Sequence, residues 1–286
     1  MHLTREKVKN LKSDIENRKN YIGGSDIGTI LGYNEYKSPY TLWCEKVGLA
    51  KEEDISDKDP VWLGTMTEEI NGKRFSMKTG KKIKRSKIAY GIKEYPFIRG
   101  HIDYLVVGEK AGLECKFTGY NKYNYEAGEV PPSHFCQCQF YMAVTGRDTW
   151  YLSTIQGNRY HINEIKRDEA FIEQMLNDCN DFWNHVIAGE PPEIDGSTST
   201  AKTLAEMYPE EEPGITVDLE KYDGELVALQ ELSNQKKNLD AMAEKYKNTI
   251  KEAMGTAETG ETSQFKVSWK VNKRGSRVFT FKEKEI

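Results

Sequence analysis

The stretch from Gly100 to Phe117 limits the possible folds of this chain more than any other. Asp103 ends one apolar run, and Gly112-Leu113-Glu114-Cys115-Lys116-Phe117 forms the next. Side chains on a strand alternate between faces, so Glu114 and Lys116 share one face while Leu113, Cys115 and Phe117 share the other. The short Gly108-Glu109-Lys110-Ala111-Gly112 connection turns the chain back on itself and brings Asp103 beside the pair. Two carboxylates and an amine then converge.

Such a cluster suits phosphodiester hydrolysis. Mg²⁺ needs only one or two protein carboxylates when phosphate oxygens and waters complete its octahedron. A second metal about 4 Å away stabilises the attacking and leaving oxygens of an in-line displacement. Lys116 is a compact three-donor charge that orients a water and offsets charge on the pentavalent phosphorus. An Asp, a Glu and a Lys at such a loose spacing also arise by chance in charged proteins, so the surroundings must add weight. They include Trp62-Leu63-Gly64-Thr65-Met66-Thr67-Glu68-Glu69-Ile70. There Leu63, Met66, Ile70 and Phe75 recur at near-helical spacing and predict an amphipathic helix with those residues inward. Glu68 or Glu69 would reach the cluster from it, and the bland alternative is a solvated helix face.

Gly23-Gly24-Ser25 lets backbone approach an anion, and Ser25-Asp26 reads as a helix N-cap before Ile27. Free N–H groups at such an end attract phosphate, and Arg18 offers a charged fork. An ordinary capped turn would have the same sequence.

In order, these pieces are Arg18, Tyr21-Ile22-Gly23-Gly24-Ser25-Asp26, Trp62-x-Gly64-x-x-x-Glu68, Asp103, Glu114-x-Lys116, Gln137-Cys138-Gln139-Phe140-Tyr141-Met142 and Thr149-Trp150-Tyr151. Together they resemble the lambda-exonuclease family, the YqaJ-type viral recombinase nucleases of the PD-(D/E)xK superfamily, over roughly residues 15 to 190. The nominal Pro before the Asp is missing, since His101-Ile102 stand there; His101 itself has a structural or substrate-facing role in this reading.

The resemblance implies an α/β (α+β) fold with a restriction-endonuclease-like core, a mixed central sheet flanked by helices. It implies a metal-dependent exonuclease that digests linear double-stranded DNA from 5′-phosphorylated ends and exposes 3′ single strands. Asp103 and Glu114 would bind Mg²⁺ (or Mn²⁺), with the Cys115 backbone carbonyl as an extra ligand and Glu68 as the helix-borne acid. Lys116 would activate the water, Gln137 would help hold it, and Arg18 and Ser25 would form the 5′-phosphate pocket. A single-strand annealing recombinase is the implied partner, and a trimeric ring the implied homo-oligomer. The alternatives are a structure-specific endonuclease or junction resolvase of the same fold, and a DNA-end-binding scaffold without catalysis.

Composition is compatible. The net charge is −4, yet Lys73, Arg74, Lys78, Lys81, Lys82, Lys84, Arg85, Lys87 and Lys93 follow one another with no acidic residue among them. A local basic face carries phosphate contacts whatever the net charge. Asn121-Lys122-Tyr123-Asn124-Tyr125 mixes aromatic, amide and cationic groups after the catalytic strand, as a DNA path or a lid. Five cysteines without a regular framework suit free thiols in a reducing compartment. Cys136 and Cys138 point to different sides of a helix, so no iron–sulfur cluster is expected. No apolar run spans a bilayer and no signal peptide opens the chain, so the expected location is the cytoplasm of a bacterial host, in a chain of phage or prophage origin.

The expected organisation is a nuclease core over 1–192, a linker over 193–215 rich in Pro, Gly, Ser and Thr, and a C-terminal module over 216–286. Within the core, a leading helix covers 1–20 and further helices 39–48, 62–80, 133–145 and 168–188. Three strands lie within 83–117, with the active site on the second and third, and two more at 149–155 and 160–165. The module combines a long amphipathic helix from Leu219 to Ile250 with a hairpin of 265–271 and 277–281.

Overall fold

Leu113, at the centre of the Glu-x-Lys strand, is fully buried, and the core is organised around that strand. The computed structural model describes residues 3–8, 18–119 and 122–284, which divide into two units, 1–211 and 212–286. In the first unit the strands are β1 (Arg5–Val8), β2 (Ile22–Gly23), β3 (Ile83–Arg85), β4 (Ala89–Ile92), β5 (Tyr95–His101), β6 (Tyr104–Val106), β7 (Ala111–Thr118), β8 (Thr149–Gln156) and β9 (Arg159–Lys166). The helices are α1 (Gly24–Ile30), α2 (Pro39–Val47), α3 (Asp59–Thr79), α4 (Pro132–Thr145), α5 (Glu169–Ala188) and α6 (Thr198–Met207).

A five-stranded mixed sheet runs in the order β3-β6-β7-β8-β9, and a four-stranded one in the order β1-β4-β5-β2. Strands β7 and β8 are parallel, in register from Ala111↔Thr149 to Thr118↔Gln156. A parallel pair needs a crossover, and α4 supplies it. Its Phe140, Met142 and Val144 are fully buried in a core shared with Trp150 and Leu152. A second, smaller core joins Phe75 of α3 to Tyr104, Leu113 and Tyr151. Gly112 is required where β7 passes Trp150, because a Cβ there would lie 2.3 Å from the indole ring.

Several expectations are corrected. The segment 5–8, placed in a leading helix, is a strand paired antiparallel with β4, Arg5 opposite Ile92 and Val8 opposite Ala89. Residues 18–20 make one turn of 3-10 helix, and the rest of the expected helix, 1–2 and 9–17, lies outside the described residues. The region 83–117 holds five strands, not three, and Asp103 sits in the bend between β5 and β6, not on a strand.

Helix α3 turns a different face inward from the one its apolar spacing predicts. Asn71, Gly72 and Phe75 are buried, whereas Met66 and Ile70 are 53% and 61% exposed. Gly72 allows the close approach, since a Cβ there would meet Ile83 at 3.0 Å and Tyr104 at 3.1 Å. Asn71 is buried because its amide donates to two strand carbonyls, Lys116 O (3.1 Å) and Ser153 O (2.9 Å). A polar residue enters a core when its hydrogen bonds are met there.

The same reasoning explains α6, which lies where a linker was expected. Ser197 caps it by accepting from Thr200 N–H (3.1 Å). The Thr200 hydroxyl then bonds to Ser38 (2.7 Å) and that of Thr203 to Thr41 of α2 (2.8 Å). A Ser/Thr-rich sequence thus packs through paired hydroxyls.

The second unit holds the helix α7 (Asp223–Met254) and a three-stranded antiparallel sheet of β10 (Thr259–Glu261), β11 (Phe265–Val271) and β12 (Arg277–Glu283). The hairpin register runs from Phe265↔Glu283 to Val271↔Arg277. The Arg277 guanidinium lies 3.5 Å from the Trp269 ring centroid and donates to the Trp269 and Ala257 carbonyls. Among the described residues no helix is long and apolar enough to cross a membrane.

Candidate active site

Strand β6 is short. It pairs with β7 at Tyr104↔Leu113 and Leu105↔Gly112, so beyond Leu113 that edge of β7 has no strand partner among the described residues. Asp103, just ahead of β6, fills the gap: its Oδ2 accepts from Cys115 N–H at 2.8 Å. This bond fixes the carboxylate against the strand that carries Glu114 and Lys116.

Glu114 is 3% exposed. Its Oε1 is 2.7 Å from Lys116 Nζ, and its Oε2 is buried without a partner. Burial pushes the Asp103 carboxyl well above the usual carboxylate range, and repulsion from Glu114 and Glu68 adds to it. Glu68, on α3, is raised for the same reasons, burial first and Glu114 after it, although Arg85 at 2.7 Å works the other way. For Lys116 burial opposes the charge, but Glu114 and Asp103 outweigh it, and its pKa stands above the ordinary lysine value. The direction favours the ammonium over the neutral amine at Lys116.

The candidate Glu69 points elsewhere, pairing with Lys73 at 2.6 Å in solvent. Glu68 is the one that feels Asp103, Glu114 and Lys116.

Helix α4 faces the cluster. Gln137 is buried and donates to Tyr141 Oη at 2.8 Å; that hydroxyl is raised by burial and then by Glu114 and Asp103. Gln139 is occupied elsewhere, donating to Lys166 O (2.7 Å) and accepting from Asp168 N–H (3.0 Å). One turn before Gln137, His134 is held neutral, its pKa lowered to about 3 by burial and by Lys116. Sequence reasoning missed Asn71, His134 and Tyr141. The i, i+3, i+7 spacing of His134, Gln137 and Tyr141 is the signal that would have put them on one face. His101 packs against the Tyr21 ring, with ring centroids 5.8 Å apart.

Arg18 and Ser25 also meet, Arg18 Nη2 donating to Ser25 Oγ at 2.8 Å. The N-cap of α1 is Gly23, two residues before the expected one, because Asp26 folds back to accept from Gly23 N–H (3.0 Å). Asp26 and Glu52 lie 3.6 Å and 3.5 Å from the Arg18 guanidinium. Lys122, whose ammonium lies 5.4 Å from the Tyr123 ring centroid, pairs with Glu35 at 3.1 Å. Both line a cavity of about 370 Å³ with Thr118 and His134. Asn121 lies outside the described residues.

The donor set fits a hard divalent cation. Every candidate donor is an oxygen, and the orphaned Glu114 Oε2 is a buried acceptor in need of a positive partner. Among the described residues no three His, Cys, Asp or Glu side chains form a ready cage. A cation that retains several waters needs none.

The architecture is the restriction-endonuclease-like fold. The crystal structure of the alkaline exonuclease LHK-Exo from Laribacter hongkongensis shares it with a TM-score of 0.50 at 18% identity, covering 62% of this chain and 93% of that one. The complex of LHK-Exo with dAMP gives 0.51, with the same identity and coverage. The YqaJ-like viral recombinase domain matches residues 15–148, a span that includes every candidate site residue from Arg18 to Gln137. Protein YqaJ of Bacillus subtilis (strain 168) is 36% identical over 262 residues, which are 90% of this chain and 82% of that protein. The chain belongs to the YqaJ-like viral recombinase family.

Proposed function

We propose that this protein is a metal-dependent deoxyribonuclease that degrades linear duplex DNA from 5′-phosphorylated ends and leaves 3′ single strands. The observation that carries this reading is the Asp103–Cys115 N–H bond, which gathers the half-buried Asp103 carboxylate, the buried Glu114 carboxylate and the Lys116 ammonium at the open edge of β7. Asp103 and Glu114 would hold Mg²⁺ or Mn²⁺, with the Cys115 carbonyl and Glu68 as further oxygen donors. The bound metal supplies Lewis acidity at the scissile phosphate and a more acidic water. Lys116, charged and tethered by Glu114, orients the attacking water and offsets the charge that builds on phosphorus. Gln137 holds the same water from α4, and Tyr141 fixes the Gln137 amide. Arg18 and Ser25 anchor the terminal phosphate. Membership of a viral recombinase family supports a single-strand annealing recombinase as partner, and a trimeric ring would keep the enzyme on its strand.

The test is nucleotide release from linear duplex with Mg²⁺, using 5′-phosphate or 5′-hydroxyl ends, closed circles and Lys116→Ala. Release from linear DNA alone, favoured by 5′-phosphate and lost in the variant, is expected. Cutting of closed circles would make the protein an endonuclease. End binding with no cleavage in Mg²⁺ or Mn²⁺ would make it a scaffold.

A further inference from the structure

One buried cation stands outside this chemistry. Lys46 of α2 is 8% exposed, although lysine is almost never buried unless paired. Its ammonium has three N–H groups and three acceptors: Tyr21 O at 2.6 Å, Arg18 O at 2.8 Å and Asp26 Oδ2 at 2.8 Å. Two of them lie on the segment that carries Arg18, and the third is the carboxylate that caps α1.

We infer that Lys46 is a positioning residue for the terminal-phosphate pocket, and this rests on the reading of Arg18 and Ser25 as that pocket. Lys46 acts in two ways. It ties the Arg18 and Tyr21 carbonyls to α2, which sets where the Arg18 side chain starts. It also holds Asp26. With Oδ2 bonded to Lys46 and to Gly23 N–H, Asp26 faces Arg18 only through Oδ1 at 3.6 Å, too long for a charge-assisted hydrogen bond. The Arg18 fork, with Ser25 on Nη2 and the exposed Glu52 3.5 Å from Nη1, thus meets an incoming phosphate with no carboxylate at charge-assisted hydrogen-bond distance. Without Lys46, Asp26 keeps only Gly23 N–H and turns to Arg18 as its remaining cation, in competition with the phosphate.

The experiment compares kcat and KM on duplexes with 5′-phosphate and 5′-hydroxyl ends for the wild type, Lys46→Met and Arg18→Ala. The expected result is a preference for 5′-phosphate that falls at least tenfold in Lys46→Met, through KM on phosphorylated ends and not through kcat. A proportional loss on both kinds of end would show a structural lysine only and overturn the inference. Because Lys46→Met leaves a buried carboxylate unpaired, melting curves accompany it. If it does not fold, Lys46→Met/Asp26→Asn, which neutralises both partners and removes the competing carboxylate, replaces it; only the lost tether of the Arg18 and Tyr21 carbonyls then lowers the preference, so a smaller loss through KM on phosphorylated ends is expected, and an unchanged preference would overturn the inference. A wild type without any 5′-phosphate preference, unchanged in Arg18→Ala, would instead refute the pocket itself.

Discussion

Lys116→Met tests the electrostatics of the site apart from its catalysis. Glu114 is nearly inaccessible, has one oxygen on Lys116 and none of its neighbours on the other. Removing Lys116 leaves this carboxylate buried and unpaired, which costs about 3–5 kcal/mol when a buried pair is broken; Lys116 is partly exposed, so about 3 kcal/mol is the reasonable figure. For a unit of this size each kcal/mol moves the melting temperature by about 2–4 °C, so the expected drop is about 6–12 °C in EDTA. Differential scanning fluorimetry measures it. Two dependencies identify the cause. The drop shrinks with added Mg²⁺, which replaces the lost positive charge. It is largely absent in Glu114→Gln/Lys116→Met, where no charge is left to strand. A Lys116→Met protein that melts within about 2 °C of the wild type in EDTA would refute the argument, since Glu114 would then not depend on Lys116.

Asp103→Asn should abolish nuclease activity yet raise the melting temperature of the metal-free protein, because Asn still accepts from Cys115 N–H without the repulsion of Glu114 and Glu68. The folded-state pKa of Asp103 lies above its unfolded value, so its stability contribution is whole below the unfolded pKa and is lost as pH rises through the folded one. The gain of Asp103→Asn should therefore grow with pH across that window, and a gain that is flat with pH would be evidence against it. Gln137→Leu and Gln139→Leu should separate: the first loses turnover and about 1 kcal/mol, since it takes one donor from the buried Tyr141 hydroxyl, and the second loses about 2 kcal/mol or more by orphaning Lys166 O and Asp168 N–H. Urea melts beside rates would decide it. Gly112→Ala forces the Trp150 ring aside and should cost about 3 kcal/mol, read from the same urea curves.

What the sequence made legible, and what it hid, follows from how locally each feature is encoded. The β7 face was legible because a period of two is the strongest local signal a strand has: Leu113 is buried in the smaller core, while Glu114 and Lys116 lie against each other on the opposite face. The Glu68–Glu69 choice was not, because adjacent helical positions differ only in which neighbour each reaches, Arg85 and the cluster for one and solvent for the other. The inward face of α3 was misread for a physical reason. Apolar spacing points to Met66 and Ile70, but the buried amide of Asn71 donates to two strand carbonyls, Lys116 O and Ser153 O. Those bonds favour the observed rotation of the helix, and Gly72 lets it sit close enough to make them. The proposed phosphate pocket hid its support in a similar way. Ser25 and Arg18 read locally as an anion site, whereas Lys46, a lone cation among the apolar residues of α2, has partners 20 to 28 residues away. Where polar groups are buried, the partner and not the pattern decides the structure, and at this site those partners come from other segments of the chain.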